Sequence, residues 1–166
     1  PADLRDLVNE AAETAGMLGE GPGIAVRSEV PEQPVTIAVD QSRIRQLLLN
    51  LVTNAIKYTP SGGKVSIALV DQGETVALIV GDNGIGIPTA NLPHIFDRFY
   101  RVDTARSRTG ERPGAGLGLA ITKWIAEAHG GTISAHSRPG RGTVFTVSLP
   151  RSPGAQVPPL EDPFNL

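Results

Sequence analysis

The chain has 166 residues, of which 40% are hydrophobic and 19% charged, and its formal net charge is −2. This composition is typical of one globular domain with its own core, and the small net charge gives no reason to expect a nucleic-acid partner. The absence of cysteine excludes disulfides, thiolate zinc sites and cysteine nucleophiles. The chain begins at Pro1 without an initiator methionine and has no long apolar run, so we expect a piece of a longer protein.

The first half of the chain predicts two helices separated by two short strands. Apolar residues repeat at helical spacing over residues 3–18, and β-branched runs at residues 24–30 and 35–39 are flanked by prolines. Asp40 is a suitable N-cap for the second helix, which we expect to end near Tyr58. The apolar stripe of this helix consists of Ile44, Leu47, Leu48, Leu51, Val52, Ala55 and Ile56.

The second half predicts two hairpins on either side of a long irregular segment. Residues 64–70 and 75–80 alternate around a turn, whereas residues 81–116 are rich in Gly, Pro and Arg and lack periodicity. The elements predicted after this segment are a helix at residues 117–128 and strands at residues 132–137 and 143–149. Hairpin-linked strands with separate helices favour an α+β two-layer sandwich, with a mixed, mostly antiparallel sheet packed on three helices.

The chain divides into one domain and a short tail. We expect residues 1–150 to form the domain and residues 151–166, which are rich in proline, to be disordered.

One face of the second predicted helix is polar. Asn50, Asn54 and Lys57 are spaced by four and three residues, which places them on the same side of the helix axis. A solvated surface explains such a face, and so does a cation and phosphate site, because amide oxygens suit Mg²⁺ and a lysine ammonium attracts phosphate.

Two glycine-rich segments lie next to predicted secondary structure. Asp82 ends a strand and is followed by Gly84 and Gly86, so its carboxylate is placed to accept a hydrogen bond from an exocyclic amine, although an ordinary turn has the same pattern. The run Gly114–Gly118 leads directly into a helix, where free N–H groups favour an anion, although a flexible hinge has the same composition.

The segment between these glycines mixes aromatic residues with arginines. Phe96 and Phe99 are placed to anchor one end of a lid to the core. Arginines 98, 101, 106 and 108 could face phosphates, and for Arg106 and Arg108 we favour solvated side chains.

Taken in order, these segments resemble the ATP-binding motifs of bacterial sensor histidine kinases. Residues 50–59 resemble the N box, 82–87 the first glycine box, 95–101 the phenylalanine box, 114–119 the second glycine box and 127–133 the segment after it. The resemblance implies the Bergerat α/β sandwich, shared with DNA gyrase, heat-shock chaperone ATPases and mismatch-repair ATPases, with a long mobile lid over ATP. It leaves out only the tail.

The resemblance also implies roles for the polar residues around Mg²⁺ and ATP. Asn50 would ligate the metal, Asn54 would lie beside the phosphates and the metal, and Lys57 would contact phosphate. Asp82 would bind the adenine amine, with Tyr58 packed near the base.

Further roles follow for the base pocket and the lid. Gly84, Gly86 and Ile87 would shape the base pocket. Arg98, counted with Asn50 and Lys57 as catalytic, and Arg101 would meet phosphates from the lid. Lid closure would use Gly114, Gly116, Leu117 and Gly118. Ala115 stands where Thr or Ser is frequent in the family, which removes a hydroxyl contact there.

The residue at the first N-box position favours phosphoryl transfer over hydrolysis. Hydrolysis needs a base to orient water, which an N-box glutamate supplies in gyrase-like ATPases, and the matching residue here is Asn50, whose amide cannot accept a proton. The resemblance therefore implies a protein-histidine kinase catalytic domain that donates the γ-phosphoryl group of ATP to a histidine in two-component signalling.

The phosphoacceptor histidine is expected on a helical hairpin outside this chain. His94 and His136 lie in the lid region and on a predicted strand, and His129 lies where a cationic ring at a helix C-terminus is common. We expect a monomeric fragment of a homodimeric kinase, whose phosphoryl group reaches a response regulator receiver domain. The family pattern implies a cytoplasmic domain on a membrane-anchored parent.

Two other interpretations remain open from the residues alone. One is a different protein kinase on the same fold, such as an anti-sigma serine kinase or a mitochondrial-type kinase, although a Glu-rich N box is usual there. The other is a non-catalytic nucleotide-binding scaffold. The polar residues Asn50, Asn54, Lys57 and Asp82 argue against a scaffold because none of them has an evident packing role.

Overall fold

A computed structural model of the chain describes residues 1–97 and 118–151. The helices of this part are α1 (Leu4–Glu20), α2 (Gln41–Lys57) and α3 (Gly118–Ala128), with a 3₁₀ turn at Leu92–His94. The strands are β1 (Ala2–Asp3), β2 (Ala25–Glu29), β3 (Thr36–Ile37), β4 (Lys64–Asp71), β5 (Thr75–Asp82), β6 (Thr132–Arg138) and β7 (Gly142–Pro150). The predicted lid, most of which falls at residues 98–117, and the predicted tail beyond residue 151 lie outside the described residues.

The two long helices begin at aspartate N-caps. The Asp3 carboxylate accepts the Arg5 N–H at 3.1 Å, and the Asp40 carboxylate accepts the Arg43 N–H at 3.2 Å. Each cap satisfies a free N–H of the first turn and places a negative charge at the positive end of the helix dipole. The predicted cap at Asp40 is therefore confirmed.

Five strands form the main sheet, in the order β2-β4-β5-β7-β6. Strands β2 and β4 pair in parallel, and the other neighbours pair antiparallel. The prediction of a mixed, mostly antiparallel sheet is confirmed.

The core lies between one face of this sheet and the three helices. Leu69, Leu78 and Val147 lie side by side on adjacent strands and are buried. They form one hydrophobic cluster with the inward side chains of α1, α2 and α3, including Leu7, the apolar stripe of α2 and Ile125. This arrangement is the predicted α+β two-layer sandwich.

The strand predicted at residues 35–39 is shorter in the structure and lies outside the main sheet. Only Thr36–Ile37 are extended, and they pair antiparallel with Ala2–Asp3 to form a separate small sheet. A two-residue strand such as β1 is too short to show periodicity, so the sequence did not predict this pairing. The Leu4 N–H also donates to the Val35 carbonyl at 2.9 Å, which fixes the start of α1.

Arg151 continues from β7 along the β4–β5 turn. Its N–H donates to the Glu74 carbonyl at 2.7 Å, and its guanidinium lies 2.6 Å from the Asp71 carboxylate. Within residues 1–97 and 118–151, no helix has the length and apolar character needed to cross a bilayer.

Candidate nucleotide-binding site

Asn50 on α2 is bonded to the first turn of α3. Its amide nitrogen donates to the Gly118 carbonyl at 3.2 Å and lies 3.5 Å from the Thr122 hydroxyl, which itself donates to the same carbonyl at 2.8 Å. A carbonyl oxygen only accepts hydrogen bonds, so the end of the Asn50 amide that faces Gly118 must be its nitrogen. The amide oxygen then remains for another partner. The N box and the last glycine of the second glycine box are thus in direct contact.

Asn54 and Lys57, which share the polar face with Asn50, make different contacts from it. Asn54 is half-buried and makes no side-chain hydrogen bond to the described part of the chain. The Lys57 ammonium lies 5.2 Å from the centroid of the Tyr58 ring, within the range of a cation–π contact. The face therefore carries one anchored amide, one unanchored amide and a cation near its C-terminal end.

Asp82 is the last residue of β5 and is partly buried. Burial raises the pKa of its carboxyl group to about 6, and hydrogen bonds from the backbone N–H groups of Gly84 and Thr143 oppose that rise. The Gly84 bond is 2.8 Å long. Because the pKa is raised above the unfolded value, ionising this group costs folding stability as pH rises from about 4 through about 6. At neutral pH the group is mainly an acceptor-only carboxylate.

The first glycine box contacts the C-terminal end of α2. The Ile85 N–H donates to the Tyr58 carbonyl at 3.2 Å. A side chain at Gly84 would collide with that same carbonyl, so the close approach requires glycine there. The loop after Asp82 is therefore bonded to the C-terminal end of the helix that carries Asn50, Asn54 and Lys57.

Two residues of the terminal hairpin, which consists of β6 and β7, also contact the first glycine box. No sequence motif indicated them. The Ser137 hydroxyl accepts the Ile87 N–H at 2.7 Å, and the Thr143 backbone donates to Asp82. A serine and a threonine on strands carry no local signal, since only the sheet register brings them to this loop.

Comparison with known proteins identifies the family. Residues 39–153, which is more than half of the chain, match the family described as "Histidine kinase-, DNA gyrase B-, and HSP90-like ATPase". The chain belongs to this ATPase family. Within the family it is a histidine kinase catalytic domain, as the following relatives show.

The chain is similar in sequence to the sensor histidine kinase WalK of Bacillus subtilis. It is 46% identical over 123 residues, which cover 73% of this chain and 20% of WalK. The sensor-like histidine kinase SenX3 of Mycobacterium bovis is 42% identical over 89% of this chain and 35% of its own length. The chain thus spans between a fifth and about a third of the length of these two relatives.

Solved structures give the same family. The nucleotide-free catalytic domain of histidine kinase ThkA is 31% identical with a TM-score of 0.78, over 92% of this chain and 95% of that domain. Full-length ShkA in complex with AMPPNP is 31% identical with a TM-score of 0.79, over 94% of this chain and 32% of ShkA. In a complex of histidine kinase ThkA with the response regulator protein TrrA, the matched chain is 28% identical with a TM-score of 0.75. The match covers 93% of this chain and 42% of the matched chain.

The start of the phenylalanine box of this kinase domain is anchored in the core. Ile95 is buried, and the Phe96 ring packs edge-on against Phe145 of β7 with centroids 6.2 Å apart. The anchoring predicted for Phe96 is confirmed. Phe99, Arg98, Arg101, Gly114, Gly116 and Leu117, all named from the sequence, lie outside the described residues.

His129 connects two helices. Its Nδ1 lies 2.8 Å from the Ile125 carbonyl and its Nε2 accepts the Asp40 N–H at 3.1 Å. His129 thus joins the end of α3 to the start of α2, a contact that its place at a helix end did not indicate.

The donor set of the kinase domain suits a hard cation. In the described ranges, no group of three or more His, Asp or Glu side chains is placed to hold a metal. The oxygen of the Asn50 amide is not used in the bonds to α3, and the Asn54 amide makes no bond to described residues. Neutral oxygen donors are compatible with Mg²⁺, which takes few protein ligands and keeps several waters.

Proposed function

We propose that this domain binds Mg-ATP and donates the γ-phosphoryl group to a histidine on a separate phosphoacceptor hairpin of its parent sensor kinase. The observation that carries the proposal is the hydrogen bonding that joins the motifs: Tyr58 to Ile85 at 3.2 Å and Asn50 to Gly118 at 3.2 Å. These bonds join the loop after Asp82 to α2, and α2 to α3, which supports a shared site for the proposed base-reading carboxylate and the two amides.

Asp82 is the proposed reader of adenine. A carboxylate accepts the exocyclic amine of adenine, and its partly buried position strengthens that hydrogen bond relative to water. Gly84 and Gly86 would shape the base pocket by letting the loop pack closely against the backbone of Tyr58 and Arg138, and Ile87 and Tyr58 would lie at the edges of the ring. Gly86 has a φ of +75°, which favours glycine over residues with a side chain.

Asn50 is the proposed Mg²⁺ ligand, and Asn54 is placed to support it beside the phosphates. The hydrogen bond from the Asn50 nitrogen to the Gly118 carbonyl orients the amide and leaves its oxygen available to the metal. When bound, Mg²⁺ would neutralise phosphate charge in transfer.

Lysine and lid residues are proposed to complete the phosphate contacts. Lys57, on the same helix face as the amides, would contact phosphate as a point charge. From the lid, Arg98 and Arg101 would meet the phosphates. Closure would use Gly114, Gly116, Leu117 and Gly118.

Transfer to histidine is favoured over hydrolysis because Asn50 stands where the hydrolytic relatives carry a base. Its nitrogen is engaged with a carbonyl, and an amide has no basic lone pair to orient and deprotonate water. The whole-protein roles are proposed with it: a homodimeric, membrane-anchored parent that passes the phosphoryl group to a response regulator. The complex of ThkA with a response regulator supports this partner class.

The test is phosphoryl transfer in trans. This domain is mixed with labelled ATP, Mg²⁺ and a separately produced hairpin from its parent kinase that carries the phosphoacceptor histidine. We expect acid-labile, base-stable label on the hairpin and none on this chain. A hairpin variant without the histidine controls for the acceptor.

Two outcomes would contradict the proposal. One is a hairpin that stays unlabelled although another kinase phosphorylates it. The other is acid-labile label on this chain, which would mean that His94, His129 or His136 is an acceptor.

A further inference from the structure

The turn between β6 and β7 packs against the first glycine box. The Gly140 N–H donates to the Ile85 carbonyl at 2.8 Å. A side chain at Gly86 would collide with the Arg138 carbonyl, and one at Gly142 would collide with the Asp82 carbonyl. The backbone of the β6–β7 hairpin therefore packs directly against the loop that follows Asp82.

Ser137 lies at the centre of this contact, and all of its hydrogen-bonding capacity is used. Its hydroxyl accepts the Ile87 N–H at 2.7 Å and donates to the Gly142 carbonyl at 2.8 Å. The Thr143 hydroxyl lies 2.9 Å away and must donate, because the Ser137 proton is already committed. One buried hydroxyl on β6 thus joins the end of the glycine box to the start of β7.

The sheet register connects Ser137 to the Asp82 carboxylate. Asp82, Thr143 and Ser137 are direct neighbours across β5, β7 and β6. The Thr143 N–H donates to the Asp82 carboxyl group, and Gly84 donates to it from the other side. Ser137 contacts Thr143 on one side and Ile87 on the other, so it spans the strand and the loop that both surround the carboxylate.

We propose that Ser137 is a positioning residue for the base pocket. It fixes the backbone from Gly84 to Ile87 relative to the Asp82 carboxylate, so that an adenine ring meets a preformed site. This inference rests on the proposed function, since it assumes that Asp82 reads the base. Without the hydroxyl, the Ile87 N–H and the Gly142 carbonyl lose a buried partner and the loop is free to shift.

The experiment compares Ser137→Ala with Ser134→Ala. Ser134 lies on the same strand but faces the opposite side of the sheet, and its hydroxyl makes no hydrogen bond to described residues. Calorimetric titration with ADP measures affinity, and hydrogen exchange of the Ile87 amide, followed by NMR without nucleotide, measures the loop. Thermal unfolding identifies any variant that does not fold.

We expect Ser137→Ala to weaken ADP binding about ten-fold, because the loop loses the hydroxyl that holds it, and to speed exchange at Ile87. Ser134→Ala should match the wild type in both measurements, and Ser137→Thr, which keeps the hydroxyl, should recover most of the affinity. If Ser137→Ala does not fold, Ser137→Cys takes its place. We expect it to lose less affinity than Ser137→Ala would, because a thiol still forms hydrogen bonds, although weaker ones than a hydroxyl.

The outcomes separate the inference from the proposed function. Wild-type affinity in Ser137→Ala, with a protected Ile87 amide, would overturn the positioning role and leave the nucleotide site intact. Faster Ile87 exchange without any loss of affinity would overturn it as well. A wild-type chain that binds no adenine nucleotide would overturn the proposed function itself.

Discussion

The proposed base side and the proposed phosphate side of the candidate site are built differently. On the base side, the Asp82 carboxylate is held by two backbone N–H groups, and the loop after it is bonded to α2 and to the terminal hairpin. On the phosphate side, the Asn50 side chain is anchored through its nitrogen, whereas the Asn54 side chain makes no hydrogen bond to the described residues.

The difference corresponds to what each side would recognise. An adenine ring is rigid, so a preorganised carboxylate and fixed backbone read it at low entropic cost. A hydrated cation with flexible phosphates has no single shape, so side chains that can still reorient suit it better. If this comparison is right, changes on the base side should be more damaging than changes on α2.

The largest effect is expected for Asp82→Asn. The carboxylate accepts from Gly84, from Thr143 and, in our proposal, from adenine, whereas an amide has one oxygen and turns an N–H₂ group toward a donor. We expect nucleotide affinity, measured by calorimetry, to fall at least about 100-fold while the circular dichroism spectrum is preserved. Unchanged affinity would refute the assignment of Asp82.

The pH dependence of binding provides the control for this prediction. Because burial raises the pKa of Asp82 to about 6, lowering the pH through 6 should protonate the carboxyl group and weaken nucleotide binding. Any binding left in Asp82→Asn should lack this dependence. A wild-type profile that is flat between pH 7 and pH 5 would contradict the role of an ionised carboxylate.

A smaller effect is expected for Asn50→Ala on α2. Binding without metal should be nearly unchanged, and the gain in affinity on adding Mg²⁺ should disappear, a change of about ten-fold for the loss of one cation ligand. Asn54→Ala should reduce the gain without removing it. Thr53→Ala is the matched control, because Thr53 is exposed on the same helix and bonds only to carbonyls of its own helix. An undiminished Mg²⁺ effect in Asn50→Ala would show that Asn50 is not the ligand.

The sequence predicted the parts of the fold that depend on local patterns. The apolar stripe of α2, its Asp40 cap and the hairpin of β4 and β5 follow from periodicity and turn chemistry, and the structure confirms each of them. The position of Asp82 at a strand end was predicted for the same reason. These features are encoded within about 20 neighbouring residues.

What the sequence did not predict depends on contacts between distant residues. The pairing of β1 with β3 joins residues more than 30 positions apart in strands too short for a pattern. The place of His129 at a helix end was visible in the sequence, whereas its contact with the Asp40 N–H joins residues 89 positions apart. Ser137 reaches Ile87 across 50 residues, so its contact emerges only when β6 and β7 are placed beside β5.

The central claim is that both sides bind one nucleotide, and NMR chemical-shift mapping tests it most directly. Isotope-labelled chain is titrated with AMPPNP, first without Mg²⁺ and then with it, and the backbone and Asn side-chain amides are followed. We predict that the amides of Gly84 and Ile87 and the side-chain amides of Asn50 and Asn54 shift with the same saturation curve, and that Mg²⁺ moves the Asn signals further. Shifts confined to the glycine box, or to α2 alone, would mean that the two sides do not share a ligand and would contradict the account.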